Sequence, residues 1–132
     1  MSKKYQNCKI EIMRSLNKVS LIGNLGKDPE CQTLEGGISV AKFSLATTEI
    51  YKDDKGQSHS NTEWHSIVLW RSLAELAHKY LSKGSLVFIE GKLKTRNFEG
   101  KDGIKRYVTE IIAEQLIMLD KKIEENNHES NL

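Results

Sequence analysis

A strict two-residue alternation of side-chain character limits this chain more than any other feature. It runs through Trp64-His65-Ser66-Ile67-Val68-Leu69-Trp70 and again through Val87 to Phe98, and a period of two belongs to β-strands, not helices. In the first segment Trp64, Ser66, Val68 and Trp70 fall on one face. In the second, Lys92, Lys94, Arg96 and Phe98 share a face, while Val87, Ile89, Gly91 and Leu93 line its reverse. A sheet surface that mixes flat rings with cations suits unpaired nucleic acid, because rings stack on bases and cations neutralise phosphates. Glu49-Ile50-Tyr51-Lys52 adds a third ring beside a cation.

The rest of the chain supplies the strands around these segments. Val19 to Leu25 forms a first strand, ended by Gly26-Lys27-Asp28-Pro29 because proline cannot donate to a ladder. Glu35-Gly36-Gly37 makes a tight turn. Ala41, Phe43, Leu45 and Thr47 alternate with Lys42, Ser44, Ala46 and Thr48, which predicts a half-buried second strand. Residues 50–61 are hydrophilic around Gly56 and read as a long, mobile hairpin tip; Glu63 to Trp70 is the third strand. Leu73, Leu76, Ala77, Tyr80 and Leu81 then follow helical spacing, which assigns Tyr80 to the core. Ser72 and Glu75 suggest a capping box at the start of this helix and Gly84 its terminator. Leu86 to Phe98 is the fourth strand, Glu99 to Gly103 a flexible tip, and Tyr107 to Ala113 the fifth strand, weakly continued by Gln115 to Leu119.

This order predicts an all-β fold: a five-stranded OB-fold barrel with one short helix between the third and fourth strands. Residues 1–12 read as a flexible N-terminal extension, 13–119 as the OB domain and 120–132 as a short polar, disordered tail. A chain of 132 residues suits one domain with a self-sufficient core.

Composition excludes several classes. The net charge is only +2, so any basic surface must come from placement rather than from a basic tail. Cys8 and Cys31 lack the paired spacing of a disulfide scaffold or zinc site, and free thiols point to a reducing compartment. The chain carries neither an apolar run long enough for a membrane span nor a signal peptide, so a cytoplasmic location is expected. Gly23-Asn24-Leu25-Gly26-Lys27-Asp28 is not a phosphate loop: its glycines are too close together and Asp follows the lysine. Asp53, Asp54 and Asp102 sit on hairpin tips, and His59, His78 and His128 lack ligand spacing. No catalytic residue, metal or cofactor is expected.

Taken together, Asn17-Lys18-Val19-Ser20-Leu21-Ile22-Gly23-Asn24-Leu25-Gly26-Lys27-Asp28-Pro29-Glu30, Thr62-Glu63-Trp64-His65, Leu81-Ser82-Lys83-Gly84-Ser85 and Ile89-Glu90-Gly91-Lys92-Leu93-Lys94-Thr95-Arg96 resemble the bacterial single-stranded DNA-binding proteins, in family order over about residues 13–119. The resemblance implies an OB fold, a homotetramer and sequence-tolerant binding of single-stranded DNA in replication, recombination and repair. It places Tyr51 where the family often has Trp at the base of its long hairpin and matches Trp64 directly. Trp70 stands where Phe is commoner and Phe98 where Trp is often found. Lys94 and Arg96 fall on the family's paired cations, and His65 on a position associated with the subunit interface. The family's acidic tip closing on Pro-Phe has no counterpart in Glu129-Ser130-Asn131-Leu132, so the resemblance does not extend to recruiting other replication proteins. Met13 to Val19 is similar to a family N-terminus, which makes residues 1–12 an optional extension.

If Tyr51, Trp64, Trp70 and Phe98 each stack on a base at ~1–3 kcal/mol, they contribute about 4–12 kcal/mol per subunit before ordering costs. If Lys52, Lys92, Lys94, Arg96 and Arg106 all meet phosphates, the logarithmic salt slope is about −3.5 per subunit. The same rings also suit an OB protein devoted to RNA or replication restart, or an adaptor that grips a partner chain.

Overall fold

A computed structural model describes residues 12–120. The elements are β1 (Val19–Leu25), β2 (Glu30–Thr33), a 3-10 turn (Glu35–Gly37), β3 (Ser39–Lys52), β4 (Ser58–Trp70), α1 (Ser72–Tyr80), β5 (Leu86–Glu99) and β6 (Lys105–Met118). The ladders run β1-β5-β6-β4-β3, and β3 pairs back onto β1 to close the ring. β2 lies on the same edge of β3 as β1, with Leu25 opposite Leu45 and Glu30 opposite Lys42. The barrel therefore has five strand positions, the first broken in two at Gly26 to Pro29. The OB-type barrel expected from the sequence is the one found.

Alternation builds the core. Leu25, Ala41, Phe43, Leu45, Ile67, Leu69, Val87, Ile89, Ile111 and Ala113 point inward, and Ala74, Ala77 and Leu81 add the helix to the same cluster. β4 and β6 run parallel, the one parallel pairing among the ladders of the described residues.

Five details differ from the sequence reading. The β3–β4 ladder continues to Lys52 opposite Ser58, so most of residues 50–61 is paired strand and only Asp53 to Gln57 form the tip. Polarity misleads there because the ribbon projects beyond the core with both faces wet. The capping box does not form: Arg71 is the cap residue at φ 57°, with no side-chain hydrogen bond. The Arg71 N–H still donates to the Ser39 carbonyl at 2.8 Å, so the strand ladder persists to the last residue before the helix. Helix α1 ends at Tyr80 with an extended Leu81, while Gly84, at φ 90°, shapes the following turn. Tyr80 is exposed with the Lys79 ammonium 5.3 Å from its ring centroid, because small Ala74 and Ala77 bring the helix in on a neighbouring face.

The fifth concerns the end of the barrel. Glu90 pairs with Gln115 but Gly91 pairs with Ala113, leaving Glu114 as an extra residue in β6. This bulge reverses the alternation. Ile111 and Ala113 face inward before it, and Leu116 faces inward after it, leaving Ile117 exposed. That reversal is why Gln115 to Leu119 looks like a weak strand in sequence.

The readings of residues 1–11, Cys8 and residues 121–132 lie outside the described residues. No helix among the described residues is long and apolar enough to cross a membrane.

Candidate nucleic-acid interface

Residues opposite each other in a ladder point to the same side of the sheet, so the registers define one outer face. Lys42 pairs with Val68 and Ala46 with Trp64 across β3 and β4. Val68 pairs with Ile112 across β4 and β6, and Ile112 with Lys92 across β6 and β5. Glu110 pairs with Lys94, Val108 with Arg96 and Arg106 with Phe98. Trp64, Trp70, Phe98, Lys42, Lys92, Lys94 and Arg96 thus share one surface drawn from four strands.

The rings are outside the core: Trp64 is 60 % exposed, Phe98 44 % and Trp70 40 %. Trp64 rests on Gly26, where an added Cβ would stand 2.5 Å from the indole Cζ3. The missing side chain is what lets the indole lie against the β1–β2 turn. A concavity of about 360 Å³ joins Trp64 and Gly26 to Lys42, Ser66 and Glu110. A second, of about 290 Å³, joins Trp70 to Lys92, Lys94, Arg96 and the same Lys42 and Glu110.

The cations are of two kinds. Arg96 donates from Nε to Glu110 Oε1 at 2.9 Å and from Nη2 to Oε2 at 3.4 Å. This hydrogen bond, reinforced by the carboxylate's charge, raises the guanidinium pKa further above its already high value. The Arg96 Cζ also lies 6.0 Å from the Phe98 ring centroid. Arg106 pairs with Asp102 at 2.6 Å. Lys42, Lys92 and Lys94 have no carboxylate within ion-pair distance among the described residues.

Tyr51 and Lys52 lie out on the β3–β4 ribbon. Lys52 shares the Trp64 side, but Tyr51 pairs with His59 on the opposite side and stacks on it at 5.4 Å between centroids. Asp53 binds His59 Nε2 at 2.8 Å and accepts from the Lys55 and Gln57 N–H groups, which fixes the tip. The His59 bond, then the Gln57 N–H, lowers the Asp53 pKa. His65 points away from Trp64 and shares a hydrogen bond with the Thr47 hydroxyl at 2.8 Å.

Three residues of this face escaped the sequence reading as site residues: Lys42, Gly26 and Glu110. Lys42 was legible as an outward position on β3, but only the register sets it between two tryptophans. Cys31 is free and exposed, and desolvation raises its thiol pKa. No group of three or more potential metal ligands occurs among the described residues.

Comparison with known proteins fits this geometry. The profile of the single-strand binding protein family matches residues 16–119. A single-stranded DNA-binding protein of Neisseria meningitidis serogroup A is 50 % identical over 105 residues, which are 80 % of this chain and 60 % of that protein. Single-stranded DNA-binding protein 1 of Xylella fastidiosa is 46 % identical over 120 residues, 90 % of this chain and 88 % of that one. The chain therefore spans about 60 % of the Neisseria protein's length but most of the Xylella protein's. Among solved structures, a chain of a Plasmodium falciparum SSB complex with ssDNA superposes with a TM-score of 0.72 at 41 % identity, covering 83 % of this chain and 100 % of that chain.

Proposed function

The chain belongs to the single-strand binding protein family, and from that premise we propose that it binds and shelters single-stranded DNA without reading its sequence. Bases stack on Trp64, Trp70 and Phe98, while Lys42, Lys92 and Lys94 take phosphates at the rim. One observation supports this above the rest: four strands in register bring three exposed rings and these cations to one outer face. Stacking tolerates any base because each has a π face. Tyr51, Lys52 and Arg106 extend the path along the two projecting hairpins, with Tyr51 reached only by a strand that passes round the ribbon edge. The protein binds without catalysing a reaction, and its place is the cytoplasm, in replication, recombination and repair.

The active form is a homotetramer. The outward row Ile22, Phe88 and Ile117, aligned across β1, β5 and β6, supports an apolar contact between subunits, and Ile22 is 58 % exposed in one chain. His65 contributes to such a contact in this reading. Residues 13–119 form the binding unit.

Titration with poly(dT), matched RNA and duplex DNA, read by tryptophan fluorescence, tests the assignment. Strong quenching by poly(dT), less by RNA and none by duplex is expected; no quenching by any of them leaves the adaptor reading instead. Sedimentation that finds only monomers would remove the tetramer.

A further inference from the structure

Glu110 is out of place in a surface meant for a polyanion. It is 8 % exposed, the one charged or polar residue in the buried class among the described residues. It lines both concavities of the trough, between Trp64 on one side and Trp70 on the other. Its two carboxylate oxygens are held by the fork of Arg96, the cation that sits nearest a stacking ring.

Resting on the binding reading above, we propose that Glu110 is a specificity-determining residue: its carboxylate, set low in the trough, cancels the charge of Arg96, so that the trough accepts bases and offers bare phosphate little attraction. A phosphate descending to the floor meets a guanidinium already matched by a carboxylate and gains little net attraction. An uncharged base loses nothing there and gains the rings. Lys42, Lys92 and Lys94, without carboxylate partners among the described residues, hold phosphates at the edge. The pair thus sets which side of the strand faces the protein.

The test is competition with inorganic polyphosphate, a polyanion without bases, against labelled poly(dT) on the full chain. Four proteins are compared: wild type, Glu110→Gln, Arg96→Gln and the double variant. The pair is neutral in wild type, positive in Glu110→Gln, negative in Arg96→Gln and neutral again in the double. Polyphosphate affinity should follow that order. It should rise about fivefold in Glu110→Gln, the effect of one unit charge at about 4 Å in water, and return near wild type in the double. The salt slope of Glu110→Gln should steepen by about 0.7. If Glu110→Gln does not stay folded, Glu110→Met, uncharged and of similar length beside Ile112, carries the same expectation. A carboxylate that merely braces the sheet weakens polyphosphate binding in both single variants. That outcome, or unchanged polyphosphate affinity in Glu110→Gln, overturns the proposal. Failure of the underlying reading shows separately: Trp64→Ala and Phe98→Ala would then bind poly(dT) like wild type.

Discussion

β5 passes through two environments without a break. From Leu86 to Gly91 its residues are buried or half-buried, and from Lys92 to Glu99 every one is exposed. β4 does the same in reverse, exposed from Ser58 to Trp64 and buried from Ile67 to Leu69. Inside the ring, each buried Ile or Leu is stabilised by about 1.5–3 kcal/mol through burial. Beyond it the ribbons depend on their ladders and on cross-strand pairs such as Thr48–Thr62 and Thr95–Thr109, each 2.9 Å between hydroxyl oxygens, worth roughly 0.2–1 kcal/mol apiece. The barrel ends of these strands hold the fold, so the projecting ends are free to carry rings and charges that the core does not require.

The largest effect should come from the barrel half. Ile89→Ala is expected to lower stability by about 2–5 kcal/mol in urea melting, with the folded fraction keeping its poly(dT) affinity. A matching fall in affinity would show that the two halves are coupled. Trp64→Ala should do the converse: a loss of about 1–3 kcal/mol in poly(dT) binding at low and high salt alike, with the melting temperature nearly unmoved. Gly26→Ala sharpens this, since its Cβ pushes the indole off its seat; a smaller loss in the same direction is expected, measured by the same titration. Smaller again, Lys92→Gln and Lys94→Gln should each flatten the salt slope by about 0.7 and leave high-salt affinity unchanged.

The smallest effect lies at the β3–β4 tip. Because His59 and the Gln57 N–H hold the Asp53 pKa down, its carboxyl should titrate below the ordinary aspartate range in NMR. The tip's gain is then complete above the ordinary aspartate value and lost as pH falls through the lowered one. His59→Ala should move the titration back up. An unchanged midpoint would mean the tip is not organised by this pair.

Much of this was legible in the sequence because alternation reports directly on faces. Period puts Trp64 with Trp70 on one face and Lys92, Lys94, Arg96 and Phe98 on another, the mix of rings and cations marks those faces as outward, and all six side chains are exposed. What alternation does not report is register, which depends on hairpin length. Lys42 and Glu110 acquire their meaning only from the residues opposite them. Tyr51 illustrates the same gap: its neighbourhood suggested a ring beside the others, yet pairing sets it behind the ribbon with His59. The helix start was missed for another reason. Ser72 and Glu75 have the spacing of a cap, but the ladder holds Arg71 to Ser39 and leaves one residue to make the turn.

Glu114 works on the pleat as a frameshift works on a message: everything downstream is displayed on the opposite wall. Its own side chain is exposed, so exchanging it for another polar residue should pass almost unnoticed. Deleting it would turn Ile117 toward the interior and evict Leu116, rewriting two surfaces at once. What must be kept at this point of the chain is a count, not an identity.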